Sequence, residues 1–392
     1  MDEALKIHKK LKGKIEIKAK IRVSKENIHL IYTPGVAEVA KEISKNPKSS
    51  FDYTSRGNNV AIITDGSRTL GAGDTVPEAS LPIMEGKALF FKFFAGIDAF
   101  PICLNTKSKE EIIRTIEILS PNFAAFNIED IKSPKSLEIV EELEKKGLTF
   151  FHDDEQGVAM AALAALFNAL KLTKKKLKEA RICLAGAGTA GYGICKILNY
   201  SGAKNLLACD SKGIIFKGRK GDNKYLREIA RLTNPDNLRG GLKEAIKGSD
   251  VFIGVTGVGN LLKSSDIELM SENPIIFALS NPIPEIFPKE ARKAKKNFIF
   301  ASGRSDFNNQ INNIVVFPGV LRGLLDTGRK MDLALEFKIA KSIASLIKNP
   351  KTNCIIPNPF DKRLLKTIVN CIKKFRKEKN LRKSDSFSFD NR

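Results

Sequence analysis

Phe126-Asn127-Ile128-Glu129-Asp130 and, further on, Phe150-Phe151-His152-Asp153-Asp154-Glu155-Gln156-Gly157 are the two segments on which the reading of the fold turns. Each is a short apolar run that passes directly into acids. Between them Leu137-Glu138-Ile139-Val140-Glu141-Glu142-Leu143 has helical spacing and is closed by Gly147. A strand, a helix and a second strand joined by a right-handed crossover bring both strand ends to the same edge of a parallel sheet. Ligands bind at that edge. Glu129, Asp130, Asp153 and Asp154 are therefore expected to converge, either as a carboxylate cluster suited to a hard divalent cation or as two ordinary solvated acidic turns.

Outward from this centre, the chain of 392 residues is long enough for two or three domains with a substantial core. Its 42% hydrophobic and 28% charged residues fit a globular protein. No apolar run reaches the roughly 18 residues of a membrane span, and the start, Met1-Asp2-Glu3-Ala4-Leu5, lacks the apolar segment of a signal peptide. A cytoplasmic location with no membrane partner is expected. The six cysteines have neither metal-ligand nor redox spacing and read as small buried hydrophobes. Of three histidines only His152 lies beside the acids. The formal net charge of +22 raises nucleic-acid binding as a possibility. The lysines are nevertheless spread along the whole chain without aromatic interleaving, so a lysine-rich composition is the preferred reading, nucleic acid is not expected as a partner, and a basic surface would help gather anionic substrates.

Upstream, Tyr32-Thr33-Pro34-Gly35 is a turn signal that opens a helix at Val36. The strand 59–64 ends in Asp65-Gly66-Ser67-Arg68, and a basic side chain at such a loop suits a bidentate carboxylate clamp. Residues 82–92 read as a helix carrying Lys87 after a glycine and before an apolar run. That lysine is either a surface residue in a lysine-rich chain or an amine whose pKa desolvation lowers toward base catalysis. Residues 158–172 form an alanine-rich helix, apolar nearly all round and therefore buried.

A second domain begins after the lysine run at 174–176. The strand Arg181-Ile182-Cys183-Leu184-Ala185 leads into Gly186-Ala187-Gly188-Thr189-Ala190-Gly191, and the next strand ends in Asp210. This is a dinucleotide fingerprint in its proper strand–helix context: the glycines let a pyrophosphate approach the helix N-terminus, and the acid meets the ribose hydroxyls. Asp210 favours NAD, while Lys212 leaves NADP open. Three further strand-to-loop units, at 250–257, 275–282 and 298–304, continue a doubly wound pattern. The asparagines at 308–313 are loop filler or substrate ligands. Amphipathic helices follow at 331–348 and 360–375, and the charged, serine-rich segment 377–392 is expected to be a disordered tail. The fold expected is α/β, with an N-terminal substrate domain (1–157) and a Rossmann NAD(P)-binding domain with C-terminal helices (158–376).

Taken together, Tyr-Thr-Pro-Gly-Val-Ala at 32–37, Thr-Asp-Gly-Ser-Arg at 64–68, Met-Glu-Gly-Lys-Ala-Leu at 84–89, Phe-Asn-Ile-Glu-Asp-Ile at 126–131 and Phe-His-Asp-Asp at 151–154 resemble the malic enzymes in order, spacing and identity. The glycine loop, Ala-Leu-Ser-Asn-Pro at 278–282 and Asn-Asn…Phe-Pro-Gly at 312–319 fit as well. The resemblance covers about residues 10 to 375 and is nearest the short prokaryotic form, although Glu155-Gln156-Gly157-Val158 stands where Gln-His-Gly-Thr is more usual. It implies oxidative decarboxylation of L-malate to pyruvate and CO2 with NAD or NADP and Mg2+ or Mn2+. By resemblance Glu129, Asp130 and Asp154 are metal ligands, Lys87 the general base, Tyr32 the general acid and Asp153 the support of the lysine. Arg68, Asn281 and Asn313 bind substrate, and a homodimer or dimer of dimers is implied. The competing readings are another metal-dependent decarboxylase, of oxaloacetate, and a dehydrogenase of a different small acid.

Overall fold

The computed structural model describes residues 3–70 and 72–386. Two sheets organise them. The first has strands β1 (Asn59–Thr64), β2 (Asp98–Cys103), β3 (Ala125–Ile128) and β4 (Phe150–His152), all parallel, in the spatial order β2-β1-β3-β4. The second has β5 (Arg181–Ala185), β6 (Asn205–Asp210), β7 (Gly213–Ile214), β8 (Val251–Gly254), β9 (Ile275–Ala278) and β10 (Ile299–Ser302), in the order β10-β9-β8-β5-β6-β7 with only β7 antiparallel. The central strands β1, β3, β5, β8 and β9 are buried along nearly their whole length and so on both faces, as parallel sheets covered by helices require, while the edge strand β2 is largely half-buried.

In each sheet the chain reverses its direction of travel once, between β1 and β3 and between β5 and β8. Those two reversals open crevices at the carboxyl ends of the strands, where ligands bind in open α/β sheets. The first is bordered by the loop after Thr64 and by Glu129-Asp130; the second by the glycine loop and the turn after Gly254.

Helix α1 (Leu81–Ala95) starts with Pro82 in its first turn and stops at Gly96, which takes the left-handed conformation of a helix C-terminus. It packs Met84, Lys87, Ala88 and Phe91 inward. Helices α2 (Lys109–Leu119) and α3 (Lys135–Lys145) carry apolar stripes onto the first sheet. The chain then leaves β4 through a π-helical turn, Asp153–Gly157, directly into α4 (Val158–Thr173). Every residue of α4 from Ala159 to Leu170 except Phe167 is buried. With the preceding turn, α4 is long and apolar enough to cross a membrane, and its burial in the protein core accounts for that composition. Helix α5 (Thr189–Tyr200) follows the glycine loop, and α6 (Phe317–Thr327), α7 (Leu333–Ala344) and α8 (Arg363–Ser386) close over α4 and α1.

One expectation changes. Helix α8 continues to Ser386, ten residues beyond Arg376, where a disordered tail is expected. The lysines, the arginine, glutamate and leucine of that segment are good helix formers and extend the last core helix; residues 387–392 lie outside the described residues.

Candidate active site

The carboxyl edge of the first sheet gathers the acids. The Glu129 N–H donates to Ile63 O at 3.0 Å, continuing the β1–β3 pairing one residue past the strand, and its side chain accepts from Asn127 Nδ2 at 2.9 Å. Asp130 follows with φ 51°, a left-handed conformation that Asp tolerates better than most residues, and its N–H donates to Asp154 Oδ2 at 2.8 Å. Glu129, Asp130 and Asp154 each present a carboxylate oxygen, all within 4.8 Å of one another.

Beside this triad lies Lys87, 8% exposed, its Nζ 2.5 Å from Asp153 Oδ2 and ion-paired with Glu129. The Phe317 ring centroid is 4.8 Å from the same Nζ. The lysine is thus desolvated, but its pKa moves opposite to expectation: burial pulls it down, and the Asp153 and Glu129 carboxylates together outweigh burial and raise it. Lys87 is an ammonium in this arrangement, because a cation between two buried anions is stabilised more by them than it is penalised by lost water.

The carboxylates respond to burial and to each other. Asp130 is pushed up to about 7, first by burial and then by Asp154, with the charges of Lys87 and Arg68 opposing. Glu129 and Asp153 are also raised, foremost by burial. The four acids Glu129, Asp130, Asp153 and Asp154 against one ammonium leave a local excess of negative charge, and Asp153 Oδ1 is buried without a hydrogen-bond partner. An all-oxygen donor set with surplus negative charge fits a hard divalent cation such as Mg2+ or Mn2+.

Around the cluster, Arg68 is exposed on the loop after β1, within range of Asp130. Asn313 opens the short 3-10 turn Asn313–Val315 and backs the acidic turn, its Cβ 3.2 Å from where a side chain on Gly157 would begin. Asn281 lies on the loop after β9, half-buried against Gly303. Tyr32 is not brought into the group. It is 68% exposed, on a surface segment, and its hydroxyl makes no hydrogen bond among the described residues. His152 is fully buried, with Nδ1 3.0 Å from Glu155 Oε2 of the acidic turn.

At the second crevice, β5 is followed by Gly186 (φ 107°), and Gly188 has open space where a side chain would stand. A Cβ on Gly191 would lie 1.9 Å from Gly186 O, so the first turn of α5 can close onto the loop only with glycine there. Thr189 and Ala190 are buried in that turn, and Thr189 Oγ1 lies 3.0 Å from Ser136 Oγ of α3. The backbone N–H groups of a helix N-terminus that follows such a glycine loop are suited to a pyrophosphate.

Asp210 ends β6, but its carboxylate is occupied. Arg219 donates from Nη1 to Oδ1 at 2.9 Å and from Nη2 to Oδ2 at 2.5 Å, while Asp222 holds the same guanidinium through Nε at 2.9 and 3.1 Å. Sequence patterning alone does not single out Arg219 or Asp222; the glycine-flanked basic loop Lys217–Asp222, just after Asp210, carries the signal. Glu285 is likewise hidden in the sequence. It is fully buried and accepts from Thr256 N and Oγ1, each at 3.0 Å, and from Ser280 N at 3.1 Å and Ser280 Oγ at 2.5 Å, tying the loops after β8 and β9 together.

A dinucleotide crevice next to a buried carboxylate–lysine cluster defines a two-domain α/β oxidoreductase with a divalent-metal site. Comparison with known proteins narrows the class. Residues 12–144 match the family description "Malic enzyme, N-terminal domain" and residues 155–362 match "Malic enzyme, NAD binding domain". A bifunctional malic/malolactic enzyme of Bacillus subtilis is 44% identical over 380 residues, 95% of this chain and 92% of its own. An NADP-dependent malic enzyme of Halomonas elongata is 37% identical over 392 residues, 94% and 92% of the two chains. The crystal structure of an NAD-dependent malic enzyme from Thermotoga maritima superposes with a TM-score of 0.91 at 44% identity, covering 95% of this chain and 99% of that one. The chain belongs to the malic enzyme family.

Proposed function

We propose that this protein catalyses the oxidative decarboxylation of L-malate to pyruvate and CO2 with reduction of NAD or NADP. The observation that carries the proposal is the cluster of Glu129, Asp130 and Asp154 beside the Lys87–Asp153 pair, in a chain that also carries a dinucleotide loop. Glu129, Asp130 and Asp154 would hold Mg2+ or Mn2+, which supplies Lewis acidity toward the hydroxyl and carboxylate oxygens of malate. The Gly186–Gly191 loop would hold the dinucleotide, which would supply the hydride acceptor for malate C2.

The protein's own residues then divide the remaining work. Arg68 is suited to clamp a malate carboxylate, with Asn281 and Asn313 donating to substrate oxygens. Lys87 Nζ is the base toward the malate hydroxyl. Asp153, 2.5 Å from Lys87 Nζ, fixes where that nitrogen points, so that it faces the substrate hydroxyl. Tyr32 is the acid that protonates C3. Its exposure means that the site is completed either by movement of segment 28–37 or by a second copy of the chain. A homodimer is the assembly we propose, since the same N-terminal region leaves Leu5, Ile17, Val23 and Leu30 exposed, Ile17 at 93%.

The test is direct. Purified protein with malate, Mn2+ and either NAD or NADP should form reduced nicotinamide and pyruvate in equal amounts, and EDTA should abolish both. No product with either cofactor would overturn the reading.

A further inference from the structure

One buried ionic group lies outside the chemistry just described. Glu155, next to the acid Asp154, is 5% exposed. Its Oε1 accepts from Lys196 Nζ at 3.0 Å, and its Oε2 is 3.0 Å from His152 Nδ1. Lys196 belongs to α5, the helix whose first turn closes the dinucleotide loop. Its ammonium also lies 4.9 Å from the Tyr192 ring centroid, and the Tyr192 hydroxyl donates to Glu228 at 2.7 Å. The lysine is therefore held in one place from both sides.

The backbones are equally close. A Cβ on Gly193 of α5 would lie 2.5 Å from Glu155 O and 2.8 Å from its Cγ, so the helix lies directly on the acidic turn. A second tie runs through Gln156. Its Oε1 accepts from His152 N–H at 3.0 Å, and its Nε2 donates to Glu336 Oε1 of α7 at 2.8 Å. The turn Asp153–Gly157 is thus fixed at consecutive side chains to two helices of the other sheet.

We propose that Lys196 is a positioning residue for hydride transfer: by holding Glu155 it registers the dinucleotide-bearing helix α5 against the turn that carries Asp153 and Asp154. The inference rests on the malate-oxidising reading above. The reacting carbons of malate and nicotinamide are held by different sheets, and they must approach to roughly 3–3.5 Å in line for hydride to pass. Something must set the separation of the two halves. The Lys196–Glu155 contact joins them one residue from Asp154 and two turns from the dinucleotide loop. A buried ion pair contributes little net stability compared with an apolar pair of the same shape, so its value here lies in the geometry it specifies.

The experiment compares wild type, Lys196→Met and Lys196→Arg. Steady-state kinetics with malate, deuterated at C2 or not, would be read beside NADH dissociation constants from fluorescence and Mn2+ dissociation constants from electron paramagnetic resonance. Lys196→Met is expected to lose about 10-fold in kcat, the scale of a sub-ångström misplacement. Both dissociation constants should stay within about threefold of wild type, and the isotope effect on kcat should rise as hydride transfer becomes limiting. Lys196→Arg should restore most of the turnover. An unchanged kcat in Lys196→Met would overturn the proposal. So would a loss accompanied by an unchanged isotope effect and by weakening of both ligands, which is the pattern of a merely structural ion pair. Wild-type protein that fails to reduce the nicotinamide with malate would remove the activity and this inference together, and that outcome is visible in the wild-type arm alone.

Discussion

Gly157→Ala tests the packing of the site with a single methyl group. Gly157 sits at the junction of the acidic turn and α4 with φ −66° and ψ −47°, ordinary helical values, so alanine meets no backbone strain. Helix propensity alone would favour it by about 0.5–1 kcal/mol. The space does not exist, however. The new Cβ would lie 1.9 Å from Asp153 Oδ1, 3.0 Å from Asp153 Cγ and 3.2 Å from Asn313 Cβ. Relief to an ordinary contact requires Asp153 or the turn to move by about 1.5 Å, since non-bonded heavy atoms settle at roughly 3.5 Å. Asp153 is fully buried and bound to Lys87, so the shift passes directly to the lysine. A displacement of about 1 Å at a reacting group costs on the order of 100-fold, and kcat should fall by about that factor. Overpacking costs about 1–3 kcal/mol, partly offset by the propensity gain, so the protein should remain folded with a modestly lower Tm. The assay is malate-dependent nicotinamide reduction alongside a circular-dichroism melt. A folded variant with turnover within about threefold of wild type would refute the claim that Asp153 must be held where it is.

Four other outcomes are expected. Lys87→Ala and Tyr32→Phe should each fold normally and lose roughly 10²–10⁴-fold in turnover, the usual worth of a positioned acid or base; wild-type rates in either would remove that residue from the mechanism. Asp154→Asn should raise the Mn2+ concentration needed for half-maximal activity by at least about 10-fold, measured by metal titration of stripped enzyme. Glu336 is pushed from 4.5 up to about 7 by burial and by Glu155, so the fold favours its neutral form. Its contribution is full below pH 4.5 and is lost as pH rises through about 7. At about 1.4 kcal/mol per pH unit this is at most about 3 kcal/mol, and Glu336→Gln should flatten the fall of Tm between those limits. Asp210→Ser should free Arg219 to meet a 2′-phosphate and move the kcat/KM ratio toward NADP by about 10-fold or more; an unchanged ratio would show that the Asp210–Arg219 pair does not read the ribose.

The local code is strong where function needs particular residue types at fixed spacing. Asp210 can be placed at a strand end because the glycine loop before it has a fixed geometry. Glu129, Asp130 and Asp154 can be placed at one sheet edge because β3, α3 and β4 form a single right-handed unit. Pairings of high sequence separation are not legible. Glu285 beneath the loop of Thr256, and Lys196 and Glu336 against the acidic turn, depend on how separate elements pack, which periodicity does not encode.

Lys87 shows the same division. From its position after Gly86 and before an apolar run, Lys87 reads either as a surface lysine or as a desolvated amine with a lowered pKa. Burial is indeed nearly complete, but the sign of the shift is set by Asp153 and Glu129, residues 66 and 42 positions away in the chain that folding places in contact with the ammonium. What the sequence by itself determined was the order of strands and helices, the dinucleotide loop and the identity of the acids at the strand ends, because these follow from nearest-neighbour geometry and crossover handedness. What only the tertiary structure decided was the charge state of Lys87, the occupation of Asp210 by Arg219, the separation of Tyr32 from the acids and the clamping of the acidic turn by α5 and α7. Electrostatic energies depend on distance and burial, and neither is known until the chain has closed on itself.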